Sequence, residues 1–179
     1  MVQIRRAVSA DVVTIMSILD EAKDFMRMQG FSQWTRDYPA ACLVELDIEL
    51  NCGYVLIEDD AVCAYGALSQ RIEPCYASID GKWLSDLPYA VIHRLAVASS
   101  KRGQGAAVRF IGGMELIAKS KGILSLRTDT HRSNVIMLHL LEKLGFVRCG
   151  IVEYEDIPND KTRVAFEKLL GFDCGCKDI

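Results

Sequence analysis

The chain has 179 residues, half hydrophobic and a quarter charged, which suits one folded domain with a real core and excludes a disordered chain. A formal net charge of −3 argues against a general nucleic-acid binder, and no run approaches the ~18 apolar residues of a membrane span. The odd set of seven cysteines (42, 52, 63, 75, 149, 174 and 176) and an opening stretch, MVQIRRAVSADVV, without a signal-peptide core point to reduced thiols and a cytoplasmic protein.

Residues 2 to 7 read as a short strand. Ser9 is placed to cap a helix from about Ala10 to Met28, whose apolar faces carry Val13, Ile15, Met16, Ile18 and Leu19, and Gly30 ends it. An aromatic-rich loop, GFSQWTRDYP, leads to a second short helix over 40–50. Tyr54–Ile57 and Ala61–Leu68 read as strands joined by a Glu58-Asp59-Asp60 turn, a hairpin signal. A polar connection over about 70–88 carries Pro74, Gly81 and Pro88. Then come a strand (Tyr89–Val97), a helix (Gly105–Lys121), a strand (Ile123–Thr128), a helix opened by Ser133 or Asn134 and closed by Gly145, and two strands (Phe146–Tyr154 and Arg163–Leu169).

The order β-α-α-β-β-β-α-β-α-β-β predicts a mixed α/β (α+β) fold. It is expected to be one domain over residues 1–170, with helices on both faces of a mixed sheet and residues 171–179 as a C-terminal tail. The strand-helix-strand unit from Tyr89 to Thr128 is expected to be a parallel crossover. Cys174-Gly175-Cys176 is the only close cysteine pair and no histidine is near it in sequence, so no metal site is expected.

The stretch LAVASSKRGQGAAVRF (95–110) carries the most chemistry. A helix start presents N–H groups without intrahelical partners, and its dipole favours anions. Gly103 and Gly105 let the backbone approach a bulky anion, and Lys101 and Arg102 add positive charge. A phosphate or pyrophosphate over the start of this helix is the expectation. The turn lacks the Gly-Lys-Ser/Thr ending of a P-loop, and Val108 breaks the dinucleotide fingerprint. It fits an arginine-or-glutamine, x, x, glycine, x, glycine-or-alanine pattern through Arg102, Gly105 and Ala107.

On that turn, on Leu95-Ala96-Val97 before it, and on Asn134 followed by LLEKLGF (140–146), the chain resembles the GCN5-related N-acetyltransferases over about residues 89–154. The resemblance implies a sheet with splayed central parallel strands and acetyl-CoA as co-substrate, with no metal. It implies pyrophosphate held by Arg102, Gly103, Gln104, Gly105, Ala106 and Ala107, and pantetheine paired with Leu95, Ala96 and Val97. Asn134 and Leu141 would meet the cofactor from the other side. It further implies direct attack of an amine, a small molecule or a peptide N-terminus, in a ternary complex. No nucleic acid or membrane partner is expected, and a homodimer is left open.

Acetyl transfer needs a base for the amine, a donor to the carbonyl oxygen and a proton for the departing thiolate. His93, two residues before Leu95 and so expected on the same face, is the candidate base, with a hydrogen-bonded structural role as the alternative. Asp129, at the end of the next strand, would bind a cationic acceptor or orient His93 or His131; a helix-entry cap is its alternative. Relatives often carry a proton-donating tyrosine seven residues after the asparagine, where this chain has Leu141. Tyr154, Tyr89 and Cys149 are the substitutes considered, with Tyr154 preferred for its neighbouring strand. Around the acceptor, Trp34, Tyr38 and Trp83 are candidate walls or core residues, and Asp37, Glu73 and Asp86 candidate ammonium partners. Two rivals remain: a non-catalytic acyl-CoA-binding module, favoured by Leu141, and a nucleotide-dependent enzyme using the glycine turn.

Overall fold

A computed structural model describes residues 1–31, 33–155 and 161–171. Tail residues 172–179, with the Cys174–Cys176 pair, lie outside the described residues. The strands are β1 (Val2–Arg6), β2 (Gly53–Glu58), β3 (Ala61–Ser69), β4 (Asp80–Gly81), β5 (Tyr89–Val97), β6 (Ser125–Thr130), β7 (Val147–Glu153) and β8 (Thr162–Leu169). The helices are α1 (Val12–Met28), α2 (Ala41–Glu49), α3 (Ala106–Ser120) and α4 (Val135–Lys143). The one element absent from the expected order is β4, two residues that pair with β7 inside the polar connection.

The eight strands form one sheet in the order β1-β2-β3-β5-β6-β8-β7-β4. Every neighbouring pair is antiparallel except β5 and β6. The β2–β3 hairpin turns on Asp59 and Asp60, both at positive φ (53° and 62°), a mirror-image turn that matches the twist of the strands. One face of the sheet packs against α3 and α4 through Phe110, Ile111, Met114 and Leu138. The other packs against α1 and α2 through Ile15, Leu19, Val44 and Trp34. Burying a side chain such as Phe110 fully contributes about 1.5–3 kcal/mol. No helix among the described residues is long and apolar enough to cross a membrane.

One local expectation is corrected. Ser9 does not cap α1: it starts a short 3₁₀ turn over Ser9–Asp11. The Asp11 carboxylate accepts instead from the Val8 N–H (2.8 Å) and pairs with Arg5 (2.6 Å). In α3, a Cβ on Gly113 would sit 2.0 Å from Ile4 Cδ1, so the glycine lets the helix pack closely against β1 without moving that side chain. A Cβ on Gly112 meets nothing within 4 Å, and nothing in the structure explains its glycine.

The feature that positions the site is the parting of β5 and β6. Their parallel pairing runs only from Tyr89↔Ser125 to Val91↔Arg127. Beyond it, β5 stays paired with β3 alone, and a notch opens between the two strands.

Candidate active site

Along β5 the register against β3 slips: Ala67 faces His93, but Tyr65 faces Ala96. Arg94 and Leu95 thus share the place opposite Gly66, and Arg94 takes φ of 55°. A left-handed arginine costs about 1–3 kcal/mol unless its surroundings hold it there. Here Asp47 holds it, accepting from Arg94 Nη2 at 2.6 Å and Nε at 3.0 Å, with the Tyr65 hydroxyl donating to the same carboxylate. Gly66 is required opposite the bulge, since a Cβ there would meet the Phe110 ring at 2.9 Å.

The bulge overturns the expectation that His93 and Leu95 face the same side. Simple alternation holds only for a regular strand, and an extra residue re-aims the side chains after it. Ile92 and Leu95 pack on the α3 and α4 side, whereas Val91 and Ala96 pack on the other. His93 therefore falls in with Val91 and Ala96. Both His93 and Leu95 still reach the notch, because the cavity passes through the sheet where the strands part.

That cavity measures about 450 Å³, within the usual range for a small-molecule site. Its wall on the α1 side comes from Met26, Trp34, Thr35 and Tyr38; on the α4 side, Asn134 and Met137 close it. His93, Asp129 and Tyr154, predicted from distant parts of the sequence, all line it. So does Arg163, which sequence reasoning missed. Gln33, also missed, bridges the halves: its Oε1 accepts from Thr130 Oγ1 and His131 N, both at 3.0 Å. Asn134 caps α4 by accepting from Met137 N (3.3 Å), and its Nδ2 donates to Thr130 Oγ1 (3.2 Å).

Asp129 Oδ2 accepts from two phenols, Tyr154 at 2.7 Å and Tyr76 at 2.8 Å. Burial pushes the Asp129 carboxyl above the ordinary carboxylate range, opposed by Tyr154, by the charge of His93 and by Tyr76. Burial, then the charge of Asp129, pushes Tyr154 far above an ordinary phenol. His93 Nε2 lies 2.9 Å from Glu73 Oε1, a contact that is an ion pair only when the imidazole is protonated and that lacks the alignment of a hydrogen bond. The histidine holds the Glu73 carboxyl below its ordinary value. Asp129 does not cap α4, since Asn134 does.

Of the three substitutes for the missing tyrosine, only Tyr154 lines the cavity. Tyr89 stacks on Arg127 (4.0 Å), and Cys149 is a buried thiol whose pKa burial raises, the reverse of an activated nucleophile. Leu141 is 2% exposed and packs in the core, so its side chain supplies nothing to the cavity. Trp83 stacks on Arg127 (4.1 Å) and donates to Tyr76 O, so it is no acceptor wall. Asp37 and Asp86 are exposed and outside the lining. No cluster of His, Cys, Asp and Glu fit to hold a metal occurs among the described residues.

Past the end of β5 the glycine turn is formed as its sequence implies. Gly103 (φ 73°) and Gly105 (φ 79°) are left-handed, and Gly105 precedes the first residue of α3. Arg102 Nε donates to Val97 O (3.3 Å), its guanidinium lies 4.6 Å from the Phe25 ring, and its Nη2 is buried without a partner. A buried donor left unpaired is costly and marks a place where an acceptor is missing. Leu95, Ala96 and Val97, paired with β3 on one side only, present toward β6 an open edge leading into this turn. Lys101, expected to add charge here, is instead drawn to Asp59 (3.0 Å) and Glu58 (3.5 Å).

The sequence matches the acetyltransferase (GNAT) family over residues 15–146. Among solved structures, a GNAT-family acetyltransferase from Streptococcus agalactiae is 34% identical, with TM-score 0.85, covering 95% of this chain and 96% of that one. One from Listeria monocytogenes shares the fold at 17% identity (TM-score 0.72, covering 94% and 95%). PaiA N-acetyltransferase from Thermoplasma acidophilum, solved in complex with coenzyme A, shares it at 19% (TM-score 0.70, covering 94% and 99%). No curated protein matches the sequence.

Proposed function

The chain belongs to the GNAT acetyltransferase family, and from that premise we propose that it is an acetyl-CoA-dependent N-acetyltransferase acting on a primary amine by direct attack in a ternary complex. One observation carries this reading. The cavity opens at Leu95, on the β5 edge that leads to the glycine turn, and it gathers His93, Asp129 and Tyr154.

The residues fit the cofactor. The α3 start and the two left-handed glycines make an anion cradle, to which the unpaired Arg102 Nη2 adds a donor. Arg102, Gly103, Gln104, Gly105, Ala106 and Ala107 would hold the pyrophosphate, Leu95–Val97 the pantetheine, and Asn134 would meet it from the α4 side. The bound cofactor supplies the activated acetyl thioester. His93 takes the ammonium proton, and the ionised Glu73 beside it stabilises the charge that forms. Asp129 draws the cationic acceptor in. Tyr154 Oη holds the proton that Leu141 cannot. Trp34 and Tyr38 wall the acceptor side, and GNAT relatives supply the precedent for amine acceptors.

A thermal-shift panel of CoA, acetyl-CoA, ATP and NAD, with thiol release followed against pooled amines, tests the reading. A ligand at ~100 times its dissociation constant should add about 2.7 kcal/mol. Stabilisation by acetyl-CoA with thiol released by one amine pool is expected. Stabilisation without release from any pool would favour the non-catalytic module, and a response to ATP or NAD alone would overturn the cofactor.

A further inference from the structure

His93 and Asp129 occupy equivalent places on the two arms of the notch, each two residues beyond the last paired residues, Val91 and Arg127. No strand pairing sets the distance between the arms there. One bond crosses, from Thr128 Oγ1 to Ile92 O (3.0 Å). A second link comes from outside both strands. The short 3₁₀ segment Pro74–Ser78, in the polar connection, is preceded by Glu73. Glu73 meets His93 on one arm (2.9 Å), and Tyr76 meets Asp129 on the other (2.8 Å).

We propose that residues 73–78 are a positioning brace, in which Glu73 fixes His93 on one arm of the notch and Tyr76 fixes Asp129 on the other. The inference rests on reading His93 and Asp129 as the reacting pair. The brace is itself anchored. Tyr76 is 3% exposed, its ring lies 4.9 Å from Trp83, and Trp83 Nε1 donates to Tyr76 O (3.0 Å). Trp83 and Tyr89 flank the Arg127 guanidinium (4.1 and 4.0 Å). The next residues, Leu84 and Ser85, are tied to the fully buried Glu167, which accepts from Leu84 N (2.6 Å) and Ser85 Oγ (2.9 Å). A turn so held transmits the rigidity of β6 and β8 to two side chains where the sheet no longer does. Both phenols use Asp129 Oδ2, so Tyr76 and Tyr154 together fix the carboxylate plane.

The test needs a readout that packing alone would not move. Charged and titratable groups face Asp129 from every side: Tyr76 and Cys75 from the brace, His93 from β5, Arg163 from β8 and Tyr154 beyond β7. The Tyr76 hydrogen bond favours the ionised carboxylate. In Tyr76→Phe, which keeps the ring, the Asp129 carboxyl should therefore titrate at higher pH than in the wild type. Carbon NMR of labelled aspartate carboxyls in the ligand-free protein reads this without any turnover. An unmoved midpoint would overturn the Tyr76 arm. In steady-state kinetics, Tyr76→Phe and Glu73→Gln should each lower kcat by about 10-fold or more, as misplacement of reacting groups does, with acetyl-CoA KM within about 2-fold. Unchanged kcat in both, or kcat and acetyl-CoA KM moving together, would overturn the brace. A wild type that transfers no acetyl group would overturn the catalytic reading, while the NMR titration would still decide whether Tyr76 holds Asp129.

Discussion

The two ends of the notch are built by different means. At the proposed cofactor end, a strand edge left open by β6, a turn and a helix start succeed one another within residues 95–107, and most of what they offer is backbone. At the proposed reacting end, His93, Asp129 and Tyr154 come from three strands or strand ends, and their partners Glu73 and Tyr76 come from a connection far along the chain. A backbone cradle needs only local conformation, which a few glycines set. A side-chain constellation needs several elements packed correctly at once. Damage should therefore be separable, with substitutions at one end weakening cofactor binding and substitutions at the other slowing turnover.

The largest effect is expected at the assembled end. His93→Ala should lower kcat by about 10²-fold or more, the usual weight of a general base, and leave acetyl-CoA affinity nearly unchanged. Were affinity to fall in step, the distinction between the two ends would collapse, and His93 would be a structural group. Replacing Arg102 by alanine and Gly105 by valine together should raise the acetyl-CoA dissociation constant by about 10-fold or more in calorimetry. Valine is strained at φ 79°, and the double variant also removes the half-buried guanidinium with its unpaired Nη2. Unchanged affinity would remove the turn from the cofactor site. The smallest effect sharpens the comparison within α3, the helix shared by the cradle and the core. Gly112→Ala should stabilise by about 0.5–1 kcal/mol, since it adds helix propensity in open space. Gly113→Ala should be the less stable of the two in denaturant unfolding, because its methyl displaces Ile4.

Bulge and brace explain where sequence reading reached its limit. Alternation along YAVIHRLAV is the right rule for a strand, and it assigns Ala90, Ile92 and Val91 to their observed faces. It fails past Arg94, because a left-handed arginine is stabilised by Asp47, which lies 47 residues away in the chain. Tyr76 sits in PCYAS, a stretch with no periodicity and no motif; its role exists only where Asp129 arrives beside it. Trp83 had the composition of a pocket wall, and Arg127 claimed it for the interior. Leu141 was legible as a departure, but the position of Tyr154, the proposed substitute, in the cavity wall depends on where β7 ends.

By itself the amino-acid sequence determined the order of the elements but for β4, the mixed sheet, the glycine turn and the missing tyrosine, because hydrophobic period, turn chemistry and local motif are properties of neighbouring residues. Only the tertiary structure decided which face Leu95 takes, which groups stand beside His93 and Asp129, and which aromatic residues wall the cavity. Those depend on contacts between residues tens of positions apart, where burial and pairing outweigh any local preference.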